Sequence, residues 1–138
     1  MKIIDGTDMI AGRLATMIAK MALEGETIRI VNAEKVIISG NPKTIIKDWT
    51  ERIHKGNALV GPYYPKRADL ILKRIIRGML PYRKANGLKA FKRVKAYLGV
   101  PQEFEGKVEQ LKKARLMNSN IVKYITLGDL SKRLGGPQ

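Results

Sequence analysis

The apolar positions between residues 66 and 95 recur with the spacing of two amphipathic helices. The apolar face of the first helix is predicted to carry Ala68, Ile71, Leu72, Ile75, Ile76 and Met79. Its other face carries cations, and Leu70 is the large apolar residue that falls among them. Pro81 ends this helix, because proline lacks an amide hydrogen and disfavours helical geometry in the preceding residue. A second helix is predicted to begin near residues 86–87 and to bury Ala90, Phe91, Val94 and Leu98.

Shorter patterns predict the other elements of the chain. The predicted strands are residues 2–5, 27–32, 36–39 and 121–125. A helix is predicted over residues 11–24, and another starts at Pro42 with Asn41 as its cap. A short helix is predicted around 107–117, and a last helical turn runs from Thr126 to 135–136. Strands that alternate with helices in this order are typical of an α/β sheet covered by helices.

Length and composition predict a single domain that spans residues 1–138. A chain of 138 residues can bury one core, and no linker rich in Ser, Gly or Pro divides it. It contains no cysteine and one histidine, His54, so neither a disulfide framework nor a common metal site is expected. We expect no cofactor. No apolar stretch is long enough to span a membrane, which predicts a soluble, cytoplasmic protein without a membrane partner.

The charge of the chain is concentrated in the two amphipathic helices. The net charge is +15, and residues 66–95 contain eleven Lys and Arg residues against the single acid Asp69. Solvated helix faces are usually laced with acids as well as bases. Because acids are missing here, we favour a polyanion-binding surface over an ordinary solvated face, and nucleic acid over membrane. Tyr63 and Tyr64 either stack on bases or pack against the core.

Enzymatic chemistry is poorly supported. The Gly6–Gly12 turn lies between a strand and a helix, but it has five residues between its glycines where a phosphate-binding loop has four. Arg13 and Leu14 also replace the lysine and hydroxyl of that motif, so Gly12 is interpreted as a close approach of helix to sheet. No nucleophile and base pair can be assembled around His54. We therefore predict neither an active site nor a small-molecule substrate.

Several motifs resemble the universal ribosomal protein thirteen family of the large subunit. They are Gly12-Arg13-Leu14-Ala15, Val31-Asn32-Ala33-Glu34-Lys35-Val36, Ser39-Gly40-Asn41, Arg77-Gly78-Met79-Leu80-Pro81, Gly87-Leu88-Lys89-Ala90-Phe91 and Tyr97-Leu98-Gly99. They follow the family's order over residues 3–100. The stretch from Pro101 to Gln138 is similar to the archaeal branch and not to the bacterial one.

The resemblance implies an α/β fold with a central mixed β-sheet flanked by helices, in which a Gly-Met-Leu-Pro turn joins the two basic helices. It also implies a non-enzymatic constituent of the large ribosomal subunit that binds large-subunit rRNA, acts early in subunit assembly and touches neighbouring ribosomal proteins. The residues predicted to bind RNA are Arg67, Lys73, Arg74, Arg77, Arg83, Lys84, Lys89, Lys92 and Arg93, with Arg13, Lys43, Arg52 and His54 as secondary candidates. The alternatives are a free RNA-binding regulator that represses an mRNA and an RNA-modifying enzyme.

Overall fold

A computed structural model of the chain describes residues 1–55, 59, 61, 64–110 and 122–135. The strands are β1 (Lys2–Asp5), β2 (Ile28–Val31), β3 (Ile37–Ser39), β4 (Val94–Ala96) and β5 (Tyr124–Thr126). The α-helices are α1 (Ala11–Leu23), α2 (Pro42–His54), α3 (Ala68–Gly78), α4 (Ala85–Lys92) and α5 (Leu127–Arg133). Two single 3₁₀ turns lie at Ala33–Lys35 and Gln102–Phe104.

The strands form a parallel and an antiparallel sheet. Strand β2 lies between β1 and β4 and is parallel to both, with Ile4 opposite Ile30 and Ile28 opposite Val94. Strands β3 and β5 pair antiparallel, and a single bridge from Ile10 to Ile37 joins β3 to the start of α1. The predicted α/β class is therefore confirmed, and both parallel and antiparallel pairing occur, although they occupy two separate sheets instead of one mixed sheet.

The core lies between these sheets and helices α1, α3 and α5. Its fully buried large side chains are Ile4, Met9, Leu14, Ile18, Ile28, Ile30, Ile37, Ile71, Leu72, Ile76, Leu127 and Leu130. The predicted inward face of α3 is confirmed at Ala68, Ile71, Leu72 and Ile76, while Ile75 is half-buried. Burial of one face fixes the rotation of α3 about its axis, so its cations must point away from the core.

The predicted inward position of Met79 is wrong. It follows the last residue of α3, where its side chain is 41% exposed and its sulfur accepts a hydrogen bond from Thr16. The chain leaves the helix at this point, and the next residue, Leu80, is buried against the core. Helix α4 starts after residues 81–84 and is packed against that turn.

The second basic helix is shorter than predicted. It ends at Lys92, and Val94–Ala96 forms strand β4 beside β2. Val94 and Ala96 are buried while Lys95 is exposed, which is the alternation of a strand. Leu98, predicted to be buried, is 36% exposed. Three residues are too few to show whether they continue the preceding helix or form a strand. Here they form a strand because they pair with the edge of β2.

The C-terminal predictions have mixed outcomes. The start of the predicted helix at 107–117 is extended, since Glu109 forms a parallel bridge with Ile4, and residues 111–117 lie outside the described residues. The predicted strand at 121–125 is found at Tyr124–Thr126, and residue 121 also lies outside. The helix start at Thr126 is confirmed, because its hydroxyl accepts the amide hydrogen of Asp129 at 3.2 Å.

Candidate nucleic-acid interface

Helix α3 presents a row of three cations, Lys73, Arg74 and Arg77, which we call the cation row. The three side chains follow one another at helical spacing on the face opposite Leu72 and Ile76, and all three are half-buried. Leu70 lies on the same face, one turn before Lys73 and Arg74. The cation row therefore stands on a helix that the core holds in place.

Each side chain of the cation row lies over an aromatic ring. The ammonium group of Lys73 is 4.8 Å from the ring centre of Phe91 in α4. The guanidinium carbon of Arg74 is 4.8 Å from the ring of Tyr64, and that of Arg77 is 4.1 Å from the ring of Tyr82. Such contacts contribute about 0.5–1 kcal/mol each at exposed sites and restrict the rotation of the cation. The charged groups are thus already positioned in the unbound protein.

A chain of stacked side chains connects the cation row to α2. The guanidinium of Arg52 lies 5.2 Å from the ring centre of Trp49, which meets Tyr64 edge to face at 6.2 Å. Tyr64 in turn carries Arg74. Tyr64 packs against the core, which agrees with the packing alternative, whereas Tyr63 lies outside the described residues. Sequence reasoning missed this chain because only Trp49 and Arg52 are close in sequence.

The cations of this surface have few acidic neighbours. In the described part of the chain the ion pairs are Lys2 with Glu26 and Arg67 with Asp69, so Arg67 alone among the thirteen candidates is paired. Burial lowers the pKa of Lys73, and the charge of Lys95 lowers it further. The pKa of the Tyr82 phenol is also lowered, first by a hydrogen bond from Arg83 and then by the charge of Arg77. The effect of Lys95 on Lys73 and that of Arg77 on Tyr82 indicate a positive potential that an anion would relieve.

Arg67 is held by a buried carboxylate at the start of α3. Its guanidinium donates to both oxygens of Asp69, at 2.7 and 2.6 Å, and Asp69 is only 4% exposed. The same carboxylate accepts the amide hydrogen of Leu70 at 2.9 Å. The hydrogen bond to Asp69 and its charge raise the pKa of Arg67. Arg67 therefore supports the fold as well as adding charge to the surface.

We expect Arg67→Ala to lower the free energy of unfolding by about 1–3 kcal/mol, because it leaves the Asp69 carboxylate buried without its cation. The control is Lys66→Ala, which removes a neighbouring exposed charge and should change stability by less than about 0.5 kcal/mol. Urea denaturation of the two variants and the parent measures the difference. Equal losses in both variants would show that the Asp69 contact contributes nothing.

The other candidates occupy varied positions. Arg93 is half-buried and donates to the carbonyl oxygen of Ala22 at 2.8 Å, so it ties α4 to the end of α1. Arg13 and Arg52 line one cavity of about 600 Å³ between α1 and α2. The remaining candidates are exposed and are found in α2, in the connection after α3 and in α4, namely Lys43, His54, Arg83, Lys84, Lys89 and Lys92.

The first amide hydrogens of the glycine turn after β1 are all bonded within the protein. The amide hydrogens of residues 6–9 are donated to Val31, Asp5, Lys35 and Gly6 of the chain. Gly6 makes the close approach, since an added Cβ would lie 2.6 Å from Val36. Gly12 is exposed with open space around it, so the close approach predicted for it is wrong. The amide donors of residues 6–9 are therefore already used within the protein and are not free to cradle a phosphate.

Within the described residues, no cluster of His, Cys, Asp and Glu could hold a metal ion. In the same residues, no helix is long and apolar enough to cross a membrane.

The sequence has clear relatives. The sequence model of the family described as ribosomal protein L13 matches residues 1–103. The large ribosomal subunit protein uL13 of Methanosarcina barkeri is 48% identical, with 98% of each chain covered. The protein of the same name from Methanocaldococcus jannaschii is also 48% identical, again with 98% of each chain covered. That of Methanopyrus kandleri is 42% identical and covers 96% of this chain and 86% of its own length. The similarity to archaeal relatives thus extends into the C-terminal part of the chain.

Proposed function

Because the chain belongs to the ribosomal protein L13 family, whose members are structural ribosomal proteins and not enzymes, we propose that it is a constituent of the large ribosomal subunit that binds large-subunit rRNA. The observation that carries the proposal is the cation row, whose three charges lie over aromatic rings and form no ion pair among the residues described. Positioned cations without counter-charges are suited to a polyanion.

The contacts proposed here are mainly to phosphate. Arginine can hold two phosphate oxygens at once, whereas lysine acts as a point charge. The deep groove of A-form RNA cannot be read by side chains, so the protein would recognise folded shape and unpaired nucleotides. All thirteen candidates form the proposed RNA-binding set, with the cation row at its centre and Arg67 and Arg93 shared with the fold.

The proposal includes the place and time of action. We propose that residues 1–138 act as one cytoplasmic domain that joins the large subunit early in assembly. The exposed acids Glu103, Glu105 and Glu109 would then face neighbouring ribosomal proteins, since they cannot favourably approach rRNA.

We expect affinity for structured large-subunit rRNA to fall steeply with salt. If six to ten cations touch phosphate, log K against log salt has a slope of about −4 to −9. Arg74→Ala should reduce the steepness by about 0.7–0.9 and leave the fold intact, because Arg74 lies on the polar face of α3. The control Lys20→Ala removes an exposed charge at the end of α1 and should leave the slope unchanged. Fluorescence anisotropy over a salt series measures both.

A slope near −1 would contradict binding through many phosphates. Sedimentation of native lysate through a sucrose gradient separates the proposed role from that of a free regulator. Co-sedimentation with the large subunit after a high-salt wash supports the proposal, and migration at the top of the gradient at every salt concentration contradicts it.

A further inference from the structure

Leu70 is an exposed leucine on the basic surface, and the charge pattern does not explain its position in α3. Leu70 is 45% exposed and lies at the N-terminal end of the cation row. It is not left there by a frayed helix end, since its amide hydrogen is bonded to the buried Asp69. A leucine fixed among cations exposes apolar surface to water at a place where an anionic ligand is expected to bind.

Leu70 also lines a small, open cavity, whose apolar lining residues we call the floor and whose cations we call the rim. The cavity measures about 290 Å³ and is lined by Pro65, Leu70, Lys73, Arg74, Arg77 and Phe91. Leu70, Phe91 and Pro65 offer no side-chain hydrogen-bonding group, so the floor is apolar. The rim is the complete cation row, and each of its charged groups lies over an aromatic ring, which for Lys73 is the Phe91 ring of the floor itself. An occupant that is apolar at its centre and anionic at its edge would match this lining.

We infer that the cavity receives the base of one unpaired nucleotide, whose flanking phosphates are held by the cation row. The volume of about 290 Å³ lies just below the range for small-ligand cavities, which suits a single base better than a larger ligand. A paired base is enclosed in its helix and cannot reach the floor, whereas an unpaired base can be turned outward. An acidic peptide would need an aromatic residue between its carboxylates to match this lining, whereas every nucleotide carries a base beside its phosphate. This inference rests on the proposed RNA binding and adds to it a preference for an unpaired nucleotide.

The test compares two RNA probes with the full chain. One is a short RNA duplex, and the other is the same duplex with one unpaired, fluorescent adenine analogue. We expect the parent protein to bind the second probe about five- to tenfold more tightly, the size of one added stacking contact, and to change its fluorescence. Leu70→Ser should remove this preference and leave affinity for the perfect duplex unchanged. Leu70→Met, which keeps an apolar side chain, should retain it.

The matched control is Leu23→Ser. Leu23 is 44% exposed, close to the 45% of Leu70, but it lies at the end of α1 and outside the cavity. Its variant should therefore keep the preference for the unpaired nucleotide. Equal binding of the two probes by the parent would overturn the inference while leaving the proposed function standing. Failure to bind either probe at low salt would contradict the proposed function itself. A preference for the unpaired nucleotide that survives in Leu70→Ser would also overturn the inference. Polyglutamate serves as a third probe, and a Leu70→Ser variant that loses affinity for this peptide alone would overturn it too.

Discussion

Gly87→Ala should destabilise the protein by about 3 kcal/mol or more, at the upper end of the range for overpacking. A Cβ added to Gly87 would overlap the carbonyl group of Pro81 and would also meet its ring. The carbonyl belongs to the backbone of the turn and accepts the amide hydrogen of Lys84 at 2.9 Å, so it cannot rotate away as a side chain would. The variant must displace α4 from the turn after α3, and with it Phe91 from beneath Lys73.

The matched control for this variant is Gly78→Ala. Gly78 ends α3, is exposed and has open space where a Cβ would stand, so alanine should be neutral or stabilise the helix by up to about 1 kcal/mol. Urea denaturation followed by far-ultraviolet circular dichroism measures both variants, and anisotropy with large-subunit rRNA reports whether the displaced α4 weakens binding. An unfolding free energy of Gly87→Ala within about 0.5 kcal/mol of the parent would contradict the close packing of α4 on the turn.

The sequence predicted those parts of the fold whose pattern is long. Helix α3 is an example, because eleven residues with helical periodicity separate its apolar face from its cations. Strand β4 was missed for the opposite reason, since three residues cannot show a period and the pairing partner β2 lies far away in sequence. The sequence also predicted that Gly12 would allow a close approach of helix to sheet. In the structure the close approaches are those of Gly6 to Val36 and of Gly87 to Pro81. A glycine's spatial neighbours are set by the tertiary fold and leave no local signal.

The candidate site shows the same division. Its cations could be identified from charge density and periodicity, but their partners could not. Arg74 meets Tyr64 and Lys73 meets Phe91 only after α3 has packed beside the chain segments that carry those rings. The attachment of Arg93 to the carbonyl oxygen of Ala22 depends on two elements that are distant in sequence. Charge is thus a property of sequence, whereas the orientation of each charge is a property of the fold.

The face assignment of α3 also predicts the effect of truncating its core. Ile76→Ala should lower the free energy of unfolding by about 2–5 kcal/mol, because a fully buried side chain is replaced by a cavity. Ile76 packs in the main core, where the surrounding side chains refill only part of the space that a truncated residue leaves. Leu70→Ala, on the opposite face of the same helix, should cost less than about 1 kcal/mol, since nearly half of Leu70 is already exposed.

Chemical denaturation of both variants tests the rotation of α3 directly. Similar losses for Ile76→Ala and Leu70→Ala would mean that the two faces are buried to a similar extent, and the outward direction of the cation row would then be wrong. Binding supplies a second criterion. At a temperature where Ile76→Ala is still folded, its affinity for large-subunit rRNA should match that of the parent, because its cations are intact. Added rRNA should also raise its melting temperature, since a ligand that binds only the folded state shifts the unfolding equilibrium toward that state.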